Sequence, residues 1–305
     1  MNIGWKSVAW SAAALLLLLS IPTSLIVVTL FLLMIPIVVL YTVLKPASFA
    51  MHLIGIGIAA YLLLGSYSLV SLTFGLFFLI PSIAMGHLYK KRLPARTIIT
   101  VTGLILLAQL LLELAVFSVQ YDMDLSSGLS TLFEEGLVQL QTSASGALLP
   151  ADWAQTTAAT LGDAVMRMMP ALLLLLSFLL AAVAHMLTRQ SLKLIGVIVP
   201  AMAPMKNWKL PGALILFYFI AVMITVSVAP TSNGFWSVAA FNAVPVLRFA
   251  FTAQAIAFFF FLADAKKWPR LAPVLIAVPL VLFPQTFYLI GLLDTAFPLR
   301  KYLVK

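Results

Sequence analysis

Two charged side chains stand where charge is expensive. Glu113 falls about five residues inside the outer end of an apolar run over 97–118, and Arg248 about four inside the outer end of another over 244–263. At 1.5 Å per residue both lie roughly 6–8 Å below the same interface. An ionised group at membrane depth costs at least a few kcal/mol unless it is paired or wet. The two therefore form a buried ion pair or line a polar site, or Arg248 snorkels outward instead. Arg167, at the outer start of the run 167–188, suits such a site or a row of lipid headgroups. Asn242 and Gln254, with Gln109 and Gln285, carry amides that bind a polar ligand or hold helices together. Asp294 and Arg300 flank Phe297-Pro298, as a salt bridge at a helix end or as a functional polar cluster.

Other chemistries find little support. His52, His87 and His185 have neither the His-x-x-x-His spacing nor an adjacent acidic ligand, so no metal site is expected. There is no cysteine, which excludes disulfides, thiolate ligands and a cysteine nucleophile. No Gly-x-Ser-x-Gly elbow and no glycine-rich phosphate loop occurs. The chain is expected to be neither an enzyme nor the carrier of a cofactor.

The elements that position these residues are membrane helices. Of 305 residues 63% are hydrophobic and only 9% charged, and mean hydropathy is +1.13. A soluble domain usually carries about 25% charged residues. Nine candidate spans run over 7–21, 24–44, 47–65, 69–88, 97–118, 167–188, 211–229, 244–263 and 271–292. Each approaches the roughly 20 apolar residues needed to cross hydrocarbon. Breaks fall where proline or charge ends an apolar helix, at Pro22, Lys45-Pro46 and Lys90 to Pro94. The opening run, beginning after Lys6, reads as a retained first helix rather than a cleaved signal.

The net charge of +9 is no nucleic-acid signature, because the basic residues sit in short clusters between apolar runs. With the N-terminus inside, 13 of the 18 Lys and Arg lie in inner loops, from Lys6 and Lys45 through Lys90–Arg92, Arg96, Arg189 and Lys193 to Lys206, Lys209, Lys266, Lys267 and Arg270. The outer loops hold Asp122, Asp124, Glu134, Glu135, Asp152 and Asp163. The tail disagrees: nine spans would leave Arg300, Lys301 and Lys305 outside. Either one span is miscounted, or the proline-rich stretch 271–305 is partly re-entrant.

Outside the bilayer, 119–166 places Leu129, Leu132, Phe133, Leu137 and Leu140 at helical spacing. That segment reads as an amphipathic helix on the outer surface, or as a lid. Ala9 and Ala13 in the first span, and Gly55, Gly57 and Ala59 in the third, mark faces on which another helix can approach closely.

Two stretches carry a family likeness. Met85-Gly86-His87-Leu88-Tyr89-Lys90-Lys91-Arg92 closes the fourth span, and Gly291-x-x-Asp294-x-x-Phe297-x-x-Arg300 follows a proline-broken one. With Asn207-Trp208-Lys209-Leu210-Pro211, Asn242 and Gln254 between them, they resemble the YybS-like family of bacterial membrane proteins along essentially the whole chain. The N-terminal part of that family is similar to the substrate-binding S components of energy-coupling-factor (ECF) transporters. That likeness implies a small-molecule site opening outward, with 119–166 as a lid; the polar residues Glu113, Arg167, Arg248, Asn242 and Gln254 are its candidates, and two arginines against one glutamate favour an anionic ligand. It also implies docking on a transporter core through Ala9 and Ala13. Family members are often encoded beside a membrane-bound cyclic-dinucleotide phosphodiesterase, which implies a second role as its membrane partner.

The expectation is thus an all-α, polytopic bundle of eight or nine spans in a bacterial cell membrane, N-terminus cytoplasmic. Its S-component-like part covers 1–190, with a C-terminal extension over 191–305. S components usually have six spans, so the extension lies outside the analogy.

Overall fold

The computed structural model describes residues 3–121, 125–143, 150, 152–228, 234–269 and 271–303. Among them every regular element is helical. Asp122, Asp124, Arg270 and Lys305 lie outside the described residues, as does the Gln285 side chain. The helices are α1 (Ile3–Ser20), α2 (Ile26–Leu32), α3 (Met34–Val43), α4 (Pro46–Leu64), α5 (Ser68–Lys90), α6 (Ala95–Tyr121), α7 (Leu125–Ser143), α8 (Trp153–Leu194), α9 (Ala213–Ser227), α10 (Phe235–Ala265), α11 (Ala272–Leu282), α12 (Pro284–Ala296) and α13 (Leu299–Leu303).

Among the described residues, five helical stretches are long and apolar enough to cross a membrane: Ile26–Val43, Pro46–Lys90, Ala95–Val116, Trp153–Leu194 and Phe235–Ala265. A sixth is counted if α11 and α12, bent by 116° at their junction, act together. The Pro46–Lys90 stretch is not straight. Gly65, at φ +55°, opens a short 3₁₀ turn over Gly65–Tyr67, and α4 and α5 fold back onto each other across it. Glycine takes that backbone angle without the steric penalty other residues meet. At the other extreme, α8 has 42 residues and measures roughly 63 Å, twice the hydrocarbon thickness.

By packing, the chain forms two units: residues 1–117 with 173–202, and residues 118–172 with 203–305. This division groups 118–172 with the C-terminal part of the chain, whereas the boundary drawn on sequence placed that segment with 1–190.

The first unit is built around α3. Its sequence is apolar on every side, which suits a helix enclosed by others. Leu33, Met34, Val38, Val39 and Leu40 are buried, and α5 and α1 pack against it. Gly86 lets α5 come close, since a Cβ there would stand 2.7 Å from the Tyr41 ring. The outward faces of α4 and α5 show Leu62, Leu63, Leu69 and Leu76, a surface for lipid rather than water.

The second unit is built around α10, with α9, α11 and α12 against it. Gly291 of α12 sits on the α10 backbone at Phe251, so close that a Cβ would overlap the Phe251 carbonyl oxygen. The register of the pair is informative: Gly291 meets Phe251, Asp294 meets Gln254, and Arg300 reaches the Phe261 ring. Residue numbers rise together, so α12 runs in the same direction as α10. In α7, Leu129, Phe133 and Leu137 are partly buried at four-residue spacing, while Leu132 and Leu140 remain exposed. The amphipathic helix expected within 119–166 is this element, with a narrower buried stripe.

Candidate functional site

In the first unit, a cavity of about 380 Å³ opens between α2, α5, α6 and α8. Its walls are Val27, Leu30, Phe31, Phe74, Phe77, Phe78, Leu110, Leu176 and Leu180, and among the described residues Thr73 and Glu113 are the polar ones that line it. This is the size range of small-molecule pockets, which are mostly apolar with a few placed polar groups. Glu113 is itself exposed, so its carboxylate belongs to the rim and the phenylalanines to the interior. Among the described residues no donor reaches that carboxylate.

One turn earlier on the same face of α6, the Gln109 amide nitrogen donates to the Phe77 carbonyl at 3.0 Å. This fixes the amide's orientation. Its buried oxygen is left with no partner among the described residues. The sequence singled out Gln109 only as a generic amide; the signal that joins it to Glu113 is the four-residue spacing.

Elsewhere in this unit, polar side chains cross-link helices. The buried Tyr89 hydroxyl and His185 Nδ1 are 2.9 Å apart, joining α5 to α8. On the same face of α8, His185 Nε2, Thr188 Oγ1 and Arg189 Nε are buried without a partner among the described residues. A pair 96 positions apart leaves no trace in sequence spacing. His52 Nδ1 meets the Ser11 hydroxyl at 2.8 Å, on the floor of an open groove between α1 and α4. Gly55, Ala59 and Ala12 line that groove. Ala9 is exposed nearby in the chain and Ala13 partly buried, but the groove itself is lined by Ser11 and Ala12. Among the described residues no three His, Asp or Glu side chains gather as metal ligands would.

The second unit contains a denser polar cluster. The Asp294 carboxylate, 1% exposed, accepts from Arg300 Nη2 at 2.7 Å, from Arg300 Nε at 3.1 Å, and from Gln254 Nε2 at 2.6 Å. Arg300 Nη1 donates to the Lys206 carbonyl at 2.7 Å, and the Gln254 oxygen accepts from the Leu210 backbone N–H at 3.0 Å. A buried carboxylate is tolerable only when paired and hydrogen-bonded, and here both conditions are met. The Asp294–Arg300 pair thus takes the first of the forms its sequence allowed, a salt bridge at the end of a helix. It also ties the segment 206–210 to α10 and to the C-terminal residues. Phe297 takes no part and is exposed. At the same end, Lys206 pairs with Asp264 at 2.8 Å on the surface.

Arg248, partly buried, donates from Nε to the Tyr218 hydroxyl at 3.2 Å, with its guanidinium 5.0 Å from the Tyr288 ring centre. Asn242 is placed differently. Its oxygen accepts from the Ala171 N–H at 2.9 Å and its nitrogen donates to the Arg167 carbonyl at 2.8 Å. Those two groups would bond each other in an unbroken helix. Pro170 between them disturbs α8, because its ring clashes with the preceding turn, and the Asn242 amide bridges the gap. Arg167 and Arg248 belong to the second unit and Glu113 to the first.

A model of the family described as "Predicted membrane protein (DUF2232)" matches residues 11–295. The chain belongs to that family. The match begins within α1 and ends within α12, so it covers most of both units. The chain is also similar to the "Uncharacterized protein YybS" of Bacillus subtilis (strain 168), with 23% identity over 239 residues, covering 72% of each chain. The YybS likeness read from the sequence agrees with this. No solved structure matches. Membership establishes a membrane protein with several apolar helices.

Proposed function

We propose that this DUF2232 chain is a small-molecule-binding component of membrane transport, and not an enzyme. Its N-terminal part, 1–190, would act as the S components of ECF transporters do, with 191–305 as an added membrane unit. The observation that carries this reading is the cavity of the first unit, ligand-sized, apolar inside and bearing Glu113 at its rim. Glu113 is the proposed ligand contact. Arg167, Arg248, Asn242 and Gln254, whose described contacts lie within the second unit, are proposed to hold that unit together.

The proposed topology has the N-terminus in the cytoplasm and eight full crossings of a bacterial cell membrane, with α11 and α12 as a re-entrant hairpin. Elements of 11 and 13 residues are short for spans and typical of re-entrant pieces. The parallel run of α12 and α10 supports this, as does the contact of Arg300 with the Lys206 carbonyl. Both bring the basic tail to the end of the unit that carries Lys206 and Asp264. The break at Gly65 supports counting α4 and α5 separately.

A second reading, a scaffold or regulator of another membrane protein such as a cyclic-dinucleotide phosphodiesterase, is favoured by the groove of Ser11, Ala12, Gly55 and Ala59. The transport reading uses the same face, with Ala9 and Ala13, to dock on a transporter core. A thermal-shift screen of the purified protein separates the two, since a ligand that binds only the folded state raises the unfolding temperature. A stabilising small molecule whose effect disappears when the cavity is filled by Leu110→Trp supports transport-like binding. A folded protein that no compound stabilises, but that retains a partner in mild detergent, favours the scaffold.

A further inference from the structure

The polar complement of the cavity is one-sided. Its polar wall residues are Thr73, whose hydroxyl donates to the Leu69 carbonyl at 2.9 Å, and Glu113, which presents a carboxylate at the rim with no donor on it among the described residues. Phe77, a wall of the cavity, accepts at its carbonyl from the Gln109 amide nitrogen at 3.0 Å. Among the described residues no lysine, arginine or histidine lines it. Such a site offers acceptors and no cationic donor, and its interior rewards burial of apolar surface. An anionic ligand would meet a like charge at the rim. A neutral apolar ligand would leave the carboxylate without a partner.

We propose that the cavity binds a protonated amine carried on an apolar body, its ammonium at Glu113 and its body among Phe31, Phe74, Phe77 and Phe78. This rests on the cavity being the ligand site, as in the function proposed above. It reverses the expectation that two arginines and one glutamate select an anion, because neither Arg167 nor Arg248 is among the described residues that line the cavity. An ammonium tethered to an apolar tail has two sources, a free amine or the ethanolamine headgroup of a bilayer lipid, and the chemistry of recognition is the same.

The test uses the full chain in phosphatidylcholine nanodiscs, with empty nanodiscs as the blank. Three probes share one body: phenylhexylamine, phenylhexanol and phenylhexanoate. A charge-assisted hydrogen bond predicts that the amine binds about tenfold or more tightly than the other two. Glu113→Gln should abolish that preference while leaving the alcohol unchanged. Leu110→Trp, or Leu176→Trp if the first lowers the unfolding temperature, should remove binding of all three. Equal binding of the three, lost on filling the cavity, would overturn the amine while leaving the cavity as a ligand site. Preference for the carboxylate would overturn it too. No binding that the filling variants remove would overturn both. Adding phosphatidylethanolamine then separates the sources: displacement of the amine identifies the lipid headgroup, and undiminished binding a free amine.

Discussion

The polar cluster of the second unit and the Gln109–Glu113 face of the first treat polar groups in opposite ways. In the second, Asp294 receives three donor atoms from two side chains, Gln254 is engaged at both ends, and Asn242 replaces the hydrogen bond broken at Pro170. Each group is satisfied by the chain itself, which is how buried polar networks hold a structure. In the first, Gln109 Oε1 is buried and unmet, and the Glu113 carboxylate opens on a cavity. The same residue types therefore mean different things. A saturated cluster is structure; a carboxylate at the rim of a cavity is a place for something else.

That contrast is most exposed at Arg300. Arg300→Ala leaves the Asp294 carboxylate buried without its cation, and should cost about 3–5 kcal/mol, read as the unfolding free energy in mixed micelles. Arg300→Lys keeps the charge but not the planar fork, so it should fall between the variant and the wild type. A small loss for Arg300→Ala would mean that the second unit's cluster is not what holds it.

Gly291→Ala is next. Its methyl would enter the space of the Phe251 carbonyl, and backbone cannot rotate aside, so a loss of roughly 1–3 kcal/mol or more is expected. Asn242→Ala should cost about 1–3 kcal/mol, from the Ala171 N–H and Arg167 carbonyl left without a partner. Pro170→Ala in the same background should recover part of it, because a regular helix would let those groups pair again. Failure of that rescue would separate Asn242 from the proline break.

Glu113→Gln gives the smallest expected effect, a stability change within about ±0.5 kcal/mol. A large loss would show that Glu113 holds the first unit as Asp294 holds the second, and the contrast between the units would collapse.

Much of this was legible in the residues. Asp294 and Arg300 stood out as a pair because six positions across a proline turn keep them close, and local geometry suffices. The amphipathic helix α7 followed from leucine spacing, although Leu132 and Leu140 proved exposed where the pattern grouped them with the buried stripe. The conflict over the tail was also visible in the charges, since Arg300 and Lys301 sat on the wrong side of nine spans.

The reading of Glu113 with Arg248 rests on depth alone, and packing groups the two residues with different units. Equal depth is a one-dimensional property, read from distance to the end of an apolar run. Which helices share a bundle is decided by packing among faces that are almost uniformly leucine, valine and phenylalanine, and these carry little directional information. By itself the sequence determined a helical membrane protein, with its apolar runs, its breaks and the asymmetry of its loops, because hydrocarbon excludes charge and unpaired backbone regardless of tertiary detail. Only the tertiary structure decided that Gln254 joins Asp294, that Asn242 mends the turn at Pro170, and that the first unit's cavity carries Glu113 at its rim with no cationic side chain among its described lining residues. Those outcomes depend on side chains far apart in sequence meeting within hydrogen-bond distance, and a linear pattern does not encode that distance.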